Sequence, residues 1–190
     1  MTNLISSFFL VFIAKMKAQD MPSHDNALKI AASLAFVTEV LGILRQEALP
    51  LAVVLAAAKL ALFGLLLYFI LKIHLKPERW SQTMTAIFGA QFVVNLLSLP
   101  FMSKLVAFME EYRESIEQGS AMVNLSGALL VVAALQIWLF VLTVRILRES
   151  MEISTFRATM NTFLIIYLLT LAMSALIGAF SPSTPFTLPN

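Results

Sequence analysis

The chain has 190 residues, 59% of them hydrophobic and 13% charged, with a mean hydropathy of +0.87, where a soluble domain carries about 25% charged residues. Gathered in runs of about 20 apolar residues, that composition excludes an ordinary soluble domain and points to helices that cross a bilayer. A net charge of +2 with no concentrated basic face excludes nucleic acid as a partner, and the lack of cysteine excludes disulfides, thiolate metal sites and cysteine nucleophiles.

From the N-terminus, Leu4, Ile5, Phe8, Phe9, Phe12, Ile13 and Met16 share one helical face, with Ser6, Ser7 and Lys17 elsewhere on the wheel. This spacing predicts an interfacial amphipathic helix within residues 1–18. Lys15 and Lys17 follow the apolar core instead of preceding it, which argues against a cleaved signal peptide. Residues 20–26, DMPSHDN, hold Pro22 and the capping types Ser23, Asp25 and Asn26, a joint leading into the next helix.

Residues 19–180 read as one all-α polytopic bundle with spans at about 27–44, 50–72, 84–109, 122–144 and 158–180, followed by a proline-rich, extended or disordered tail at 181–190. The first span is the ambiguous one, since it carries Lys29 and Glu39. Cation counting decides it. If it crosses, Lys15, Lys17, Lys29, Lys72, Lys76, Arg79, Arg145, Arg148 and Arg157 lie on one side, and Arg45, Lys104 and Arg113 on the other. If it does not cross, the split becomes six against six. The positive-inside rule therefore favours five spans, with the N-terminus cytoplasmic and the C-terminus on the opposite side, which is the periplasm if the membrane is the bacterial inner membrane.

The short link Arg45–Leu49 implies an antiparallel hairpin, with Pro50 early in the second span. Pro100 predicts a kink or early break in the third. Beyond Ser103 the chain turns polar, and Glu110, Glu111, Glu114 and Glu117 predict an acidic, solvated helix face.

Lys59 stands alone in an apolar run, and a charge at such depth needs a partner or a water-filled cavity. Glu39 is the expected partner across the hairpin, offset by about 7 Å along the membrane normal. The pair reads either as packing hardware or as part of an ion pathway. Gln91 and Asn95 share a face four residues apart and, with Gln136, are candidates for hydrogen bonds between helices. Gly64, Gly89, Gly127 and Gly178 are candidates for close helix approach. No catalytic motif or cofactor-binding motif occurs, and the isolated His24 and His74 do not make a metal site.

The stretch PERWSQTMTAIFGAQFVVNLLSLPF, through Arg79, Trp80, Gln82, Thr83, Thr85, Ala86, Gly89 and Pro100, resembles a segment of small proteobacterial inner-membrane proteins similar to the Yip1 family. QDMPSHDNALKI and LTVRILRESMEI extend the resemblance over about residues 19–177. It implies five helical spans and a membrane-organising or partner-binding role, and it does not reach Lys59 or the acidic segment.

Two functional expectations follow. One is a non-enzymatic scaffold or accessory subunit that touches lipids and other membrane proteins or itself. The alternative is a small transporter or channel with a polar path around Lys59 and Glu39.

Overall fold

In hydrocarbon every backbone N–H and C=O must be satisfied within the chain, and helices do this locally. The computed structural model, which describes residues 4–22, 24–45, 47–117 and 127–180, is helical in that way, with no strand among the described residues. Its helices are α1 (Leu4–Phe12), α2 (Asp25–Ile43), α3 (Leu49–Ile73), α4 (Trp80–Glu117), α5 (Gly127–Met151) and α6 (Thr155–Phe180). The last five are long and apolar enough to cross a membrane. Ser23, Asn124, Ser126, the expected span start at 122–126 and the tail 181–190 lie outside the described residues.

Local chemistry sets most helix ends. His24 caps α2, its Nδ1 accepting from the Ala27 N–H at 3.1 Å, while Asp25 and Asn26, expected as caps, fall inside the first turn. Pro50 sits in the first turn of α3, where its missing N–H costs nothing. Ala14, Leu75 and Glu152 follow α1, α3 and α5 in the left-handed conformation, with φ of 59°, 58° and 58°. Each is followed by an N–H reaching five residues back: Lys15 to Leu10 O at 2.8 Å, Lys76 to Leu71 O at 2.9 Å and Ile153 to Arg148 O at 3.3 Å. These are helix-ending turns of the kind glycine usually makes, here built without it.

Pro100 does not break its helix, since α4 continues to Glu117. Proline frees one carbonyl, that of Leu96, whereas ending the helix inside the hydrocarbon would free several. The polar stretch after Ser103 is therefore the continuation of α4, with Glu110, Glu111 and Glu114 exposed. The Glu117 side chain lies outside the described ones.

Helices α2, α3, α6, α5 and α4 touch in that order and α4 returns to α2, so the five spans close a ring. Packing is tightest toward the end that holds the α3–α4 and α5–α6 turns, called the basic end below. Leu67, Leu71, Ile87, Phe88, Leu142, Leu147, Ala158 and Ile165 are all buried there. Outward positions such as Leu65, Phe69, Ile137, Phe163 and Tyr167 are exposed apolar side chains, as a lipid-facing surface requires.

The N-terminal helix divides its apolar residues between two environments. Phe8 and Val11 are buried against α4 and α5, while Ile5, Phe9 and Ile13 face outward. Ser7, placed off the apolar face by the wheel, is buried. Helical period identifies an apolar face but not which part of it meets protein. The helix also ends at Phe12, so Met16 lies beyond it.

Candidate functional site

The polar residues of the spans converge. Glu39 lies 14 residues into α2 and Lys59 14 residues before the end of α3, each about 21 Å from the basic end at 1.5 Å per residue. Asn95, 15 residues into α4, and Gln136, 15 before the end of α5, reach about the same level. The offset expected between Glu39 and Lys59 is thus absorbed, and the two side chains are directly paired.

One Glu39 carboxylate oxygen, Oε1, accepts from the Lys59 ammonium. The other, Oε2, accepts from Gln91 Nε2 at 3.0 Å and Asn95 Nδ2 at 3.1 Å. A carboxylate in a low-dielectric region needs this company, because its desolvation is repaid only when most of its lone pairs are used. Gln91 and Asn95 join α4 to α2 through Glu39, and their spacing of four residues puts both amides on the same oxygen. The Glu39 side chain is 11% exposed and that of Lys59 35%. The ammonium is therefore the more open half of the pair.

That open half faces a cavity of about 490 Å³ lined by all five spans, within the size range of ligand pockets, roughly 300–1,000 Å³. From α2 come Thr38, Glu39 and Gly42; from α3, Lys59 and Phe63; from α4, Gln91, Asn95, Ser98 and Met102. Gln136, Phe140 and Thr143 of α5 and Thr162, Ile165 and Thr170 of α6 complete it. Gln136 and Thr170 are exposed and mark its open side, whereas toward the basic end the buried Ile87 and Ile165 close it.

Sequence reasoning singled out the charged and amide members but missed the hydroxyls and Gly42. A signal was present. Gln91, Asn95, Ser98 and Met102 fall at steps of four, three and four, a single stripe on α4, and Gly42 lies three residues after Glu39. Four of the hydroxyls are occupied: Thr38 donates to Leu34 O and Ala35 O, Ser98 to Val94 O at 2.8 Å, Thr143 to Leu139 O at 2.8 Å and Thr162 to Ala158 O at 2.9 Å. These four donate to their own helices and present only their oxygens to the cavity.

The family-like stretch supplies Ile87, Gln91, Asn95 and Ser98 to the cavity, while its motif residues from Arg79 to Gly89 lie outside the wall and do structural work. Arg79 binds Glu152 at 2.5 Å and Ser150 O at 3.0 Å, and Lys76 reaches the same carboxylate at 3.2 Å, so the α3–α4 and α5–α6 turns are tied together. The hydrogen bond from Arg79, then that from Lys76, holds the Glu152 carboxyl below its usual 4.5. A depressed value means the clamp is fully formed above about 4.5 and weakens as pH falls through the lowered one. Trp80 Nε1 donates to Gly64 O at 3.1 Å, and Thr83 donates to Ser150 Oγ at 2.9 Å. Thr85 bonds its own helix at Ser81 O, Ala86 is fully buried and Gln82 is half-buried.

Gly89 is the seat of α1. A Cβ there would lie 2.2 Å from the Phe8 ring. Gly64 likewise sits 3.0 Å from Met84 Cε by the same construction, but among the described residues Gly127 and Gly178 meet nothing within 4 Å. The chain from Phe12 onward is then pinned along α5. Trp138 Nε1 donates to Phe12 O at 2.8 Å, Arg145 Nη1 to Ala14 O at 2.6 Å and Gln19 Nε2 to Glu149 O at 2.8 Å. His74 packs its Nδ1 against Ile70 O at 2.9 Å, and among the described residues no three His, Asp or Glu side chains gather as a metal site.

Compared with known proteins, the chain matches no family model, no curated protein and no solved structure.

Proposed function

We propose that this protein is a non-enzymatic membrane carrier that takes a small polar solute into the cavity shared by its five spans. The observation that carries the reading is the Glu39–Lys59 pair, held by Gln91 and Asn95, at the wall of a cavity to which every span contributes. Ionisable groups inside spans are costly, and their usual use is along a substrate or ion path. Of the two expectations, the geometry favours the transporter, because a pair needed only for packing would not require a cavity beside it. The closed layer toward the basic end argues for a carrier that alternates its access and against a continuous pore.

The scaffold reading rests on the small mass outside the spans and on the Yip1-like stretch from Arg79 to Pro100, a stretch that also supplies Gln91, Asn95 and Ser98 to the cavity wall. We further infer a bacterial inner membrane with the N-terminus cytoplasmic, on the nine-to-three distribution of cations. Lipids, and self-association through the lipid-facing sides, are the partners this placement provides.

Proteoliposomes loaded with a mixed panel of labelled inorganic ions, carboxylates, amino acids and sugars test the reading. Release of at least one solute from wild type, lost in Glu39→Gln/Lys59→Met, is expected. No release of any solute under any imposed gradient overturns the carrier and leaves the scaffold.

A further inference from the structure

The bonding of the ion pair specifies what the cavity can hold. Resting on the carrier reading, the geometry points to a zwitterionic ligand, with an anionic oxygen group on Lys59 and an ammonium on the amide oxygens of Gln91 and Asn95. Two observations lead there, one about free bonding capacity and one about net charge.

Among the described residues the Lys59 ammonium makes one hydrogen bond, to Glu39, so two of its three protons remain for a ligand acceptor. Gln91 and Asn95 each spend an amide N–H on Glu39, which leaves both side-chain carbonyl oxygens as acceptors at the cavity wall. Gln136 adds a third amide on the open side. Donor capacity is thus concentrated on α3 and acceptor capacity on α4, with the Glu39 carboxylate between them.

Charge balance selects among ligands that could use those groups. Glu39 and Lys59 sum to zero, and the surrounding wall of Phe63, Phe140 and Ile165 is apolar. A lone anion would leave the site at net minus one and a lone cation at net plus one, each unfavourable where the dielectric is low. A ligand carrying both charges keeps the site neutral and lies antiparallel to the existing dipole. The same chemistry comes from two sources, a free small zwitterion such as an amino acid or the ethanolamine phosphate headgroup of a lipid entering at the open side.

Binding to purified protein separates these sources, and it does so independently of any flux. Native mass spectrometry and thermal shift in detergent are carried out with glycine and phosphoethanolamine as free probes. Phosphatidylethanolamine and phosphatidylglycerol serve as the lipid pair. The reference variant is Glu39→Gln/Lys59→Met, which is neutral and keeps the side-chain volumes.

The expected result is that a zwitterionic probe binds wild type about tenfold more tightly than the double variant, while phosphatidylglycerol and inorganic phosphate do not distinguish the two. Preference for glycine or phosphoethanolamine assigns a free solute; preference for phosphatidylethanolamine assigns the headgroup. Equal binding of every zwitterion to both proteins, or tighter binding of phosphatidylglycerol or phosphate to wild type, overturns the inference. Zwitterion binding without flux would leave this assignment standing and remove the carrier. Flux of a singly charged ion without zwitterion binding would do the reverse.

Discussion

Glu39 illustrates how a single side chain organises a membrane interior. Its side chain, 11% exposed, draws a cation from α3 and two amides from α4 to one point, so three spans are joined through one carboxylate. Removing one charge strands the other. Lys59→Met or Glu39→Gln alone should each lower stability by on the order of 3 kcal/mol, whereas the double variant should recover most of that loss, because the uncompensated charge disappears with its partner. Thermal unfolding in detergent measures it, and losses that simply add would mean the pair is not coupled. At this scale the sequence was informative because charge is scarce: Lys59 and Glu39 stood out, and Gln91 and Asn95 shared a face. What could not be read was that both amides serve Glu39 and leave their carbonyl oxygens to a cavity. That depends on the rotation of α4 about its axis, which an apolar helix with lipid on one side and protein on the other does not encode in its hydropathy.

Among the elements, α1 is a helix as its periodicity predicted, and the structure adds what its apolar face meets. Phe8 enters the gap left by Gly89 about 14 Å along α4 from Trp80, which places this helix alongside the bundle core. The period of apolar residues predicted a helix with one hydrophobic face, and nothing in that period could say that Phe8 would be covered and Phe9 bare. The small residue that receives it, Gly89, was legible as a candidate for close approach, but not as the seat of Phe8. Gly89→Ala should push α1 away at a cost of about 1–3 kcal/mol. Because the chain has no cysteine, Val11→Cys, at a position now 2% exposed, reports the change directly. Its thiol should react roughly tenfold faster in the Gly89→Ala background, and Phe8→Ala added to that background should slow it again. Unchanged labelling would show that α1 is held by its bonds to Trp138 and Arg145 and not by the Gly89 seat. Pro100 shows a similar limit, since a local rule predicted a kink or an early break and α4 runs through it to Glu117.

At the scale of the whole molecule, the ring of five spans and the distribution of cations are two independent views of one topology. The ion pairs that tie Lys76 and Arg79 to Glu152 and Arg145 to Glu149 all fall at one end, together with the turns after α1, α3 and α5. The buried Ile87 and Ile165 close the cavity toward that end, and its exposed members Gln136 and Thr170 lie at the depth of the ion pair, about 22 Å along their helices. If the basic end is cytoplasmic, the closed layer in this conformation faces the cytoplasm, so orientation fixes which side is barred. Leu75, 84% exposed in the α3–α4 turn, and Glu47, exposed between α2 and α3, lie on opposite sides in a five-span chain. In spheroplasts an impermeant thiol reagent should modify Glu47→Cys at once and Leu75→Cys only after permeabilisation. The reversed pattern would put the closed layer on the periplasmic side. Modification of both without permeabilisation would mean that α3 does not cross, and with it would fall the five-span ring on which the shared cavity depends.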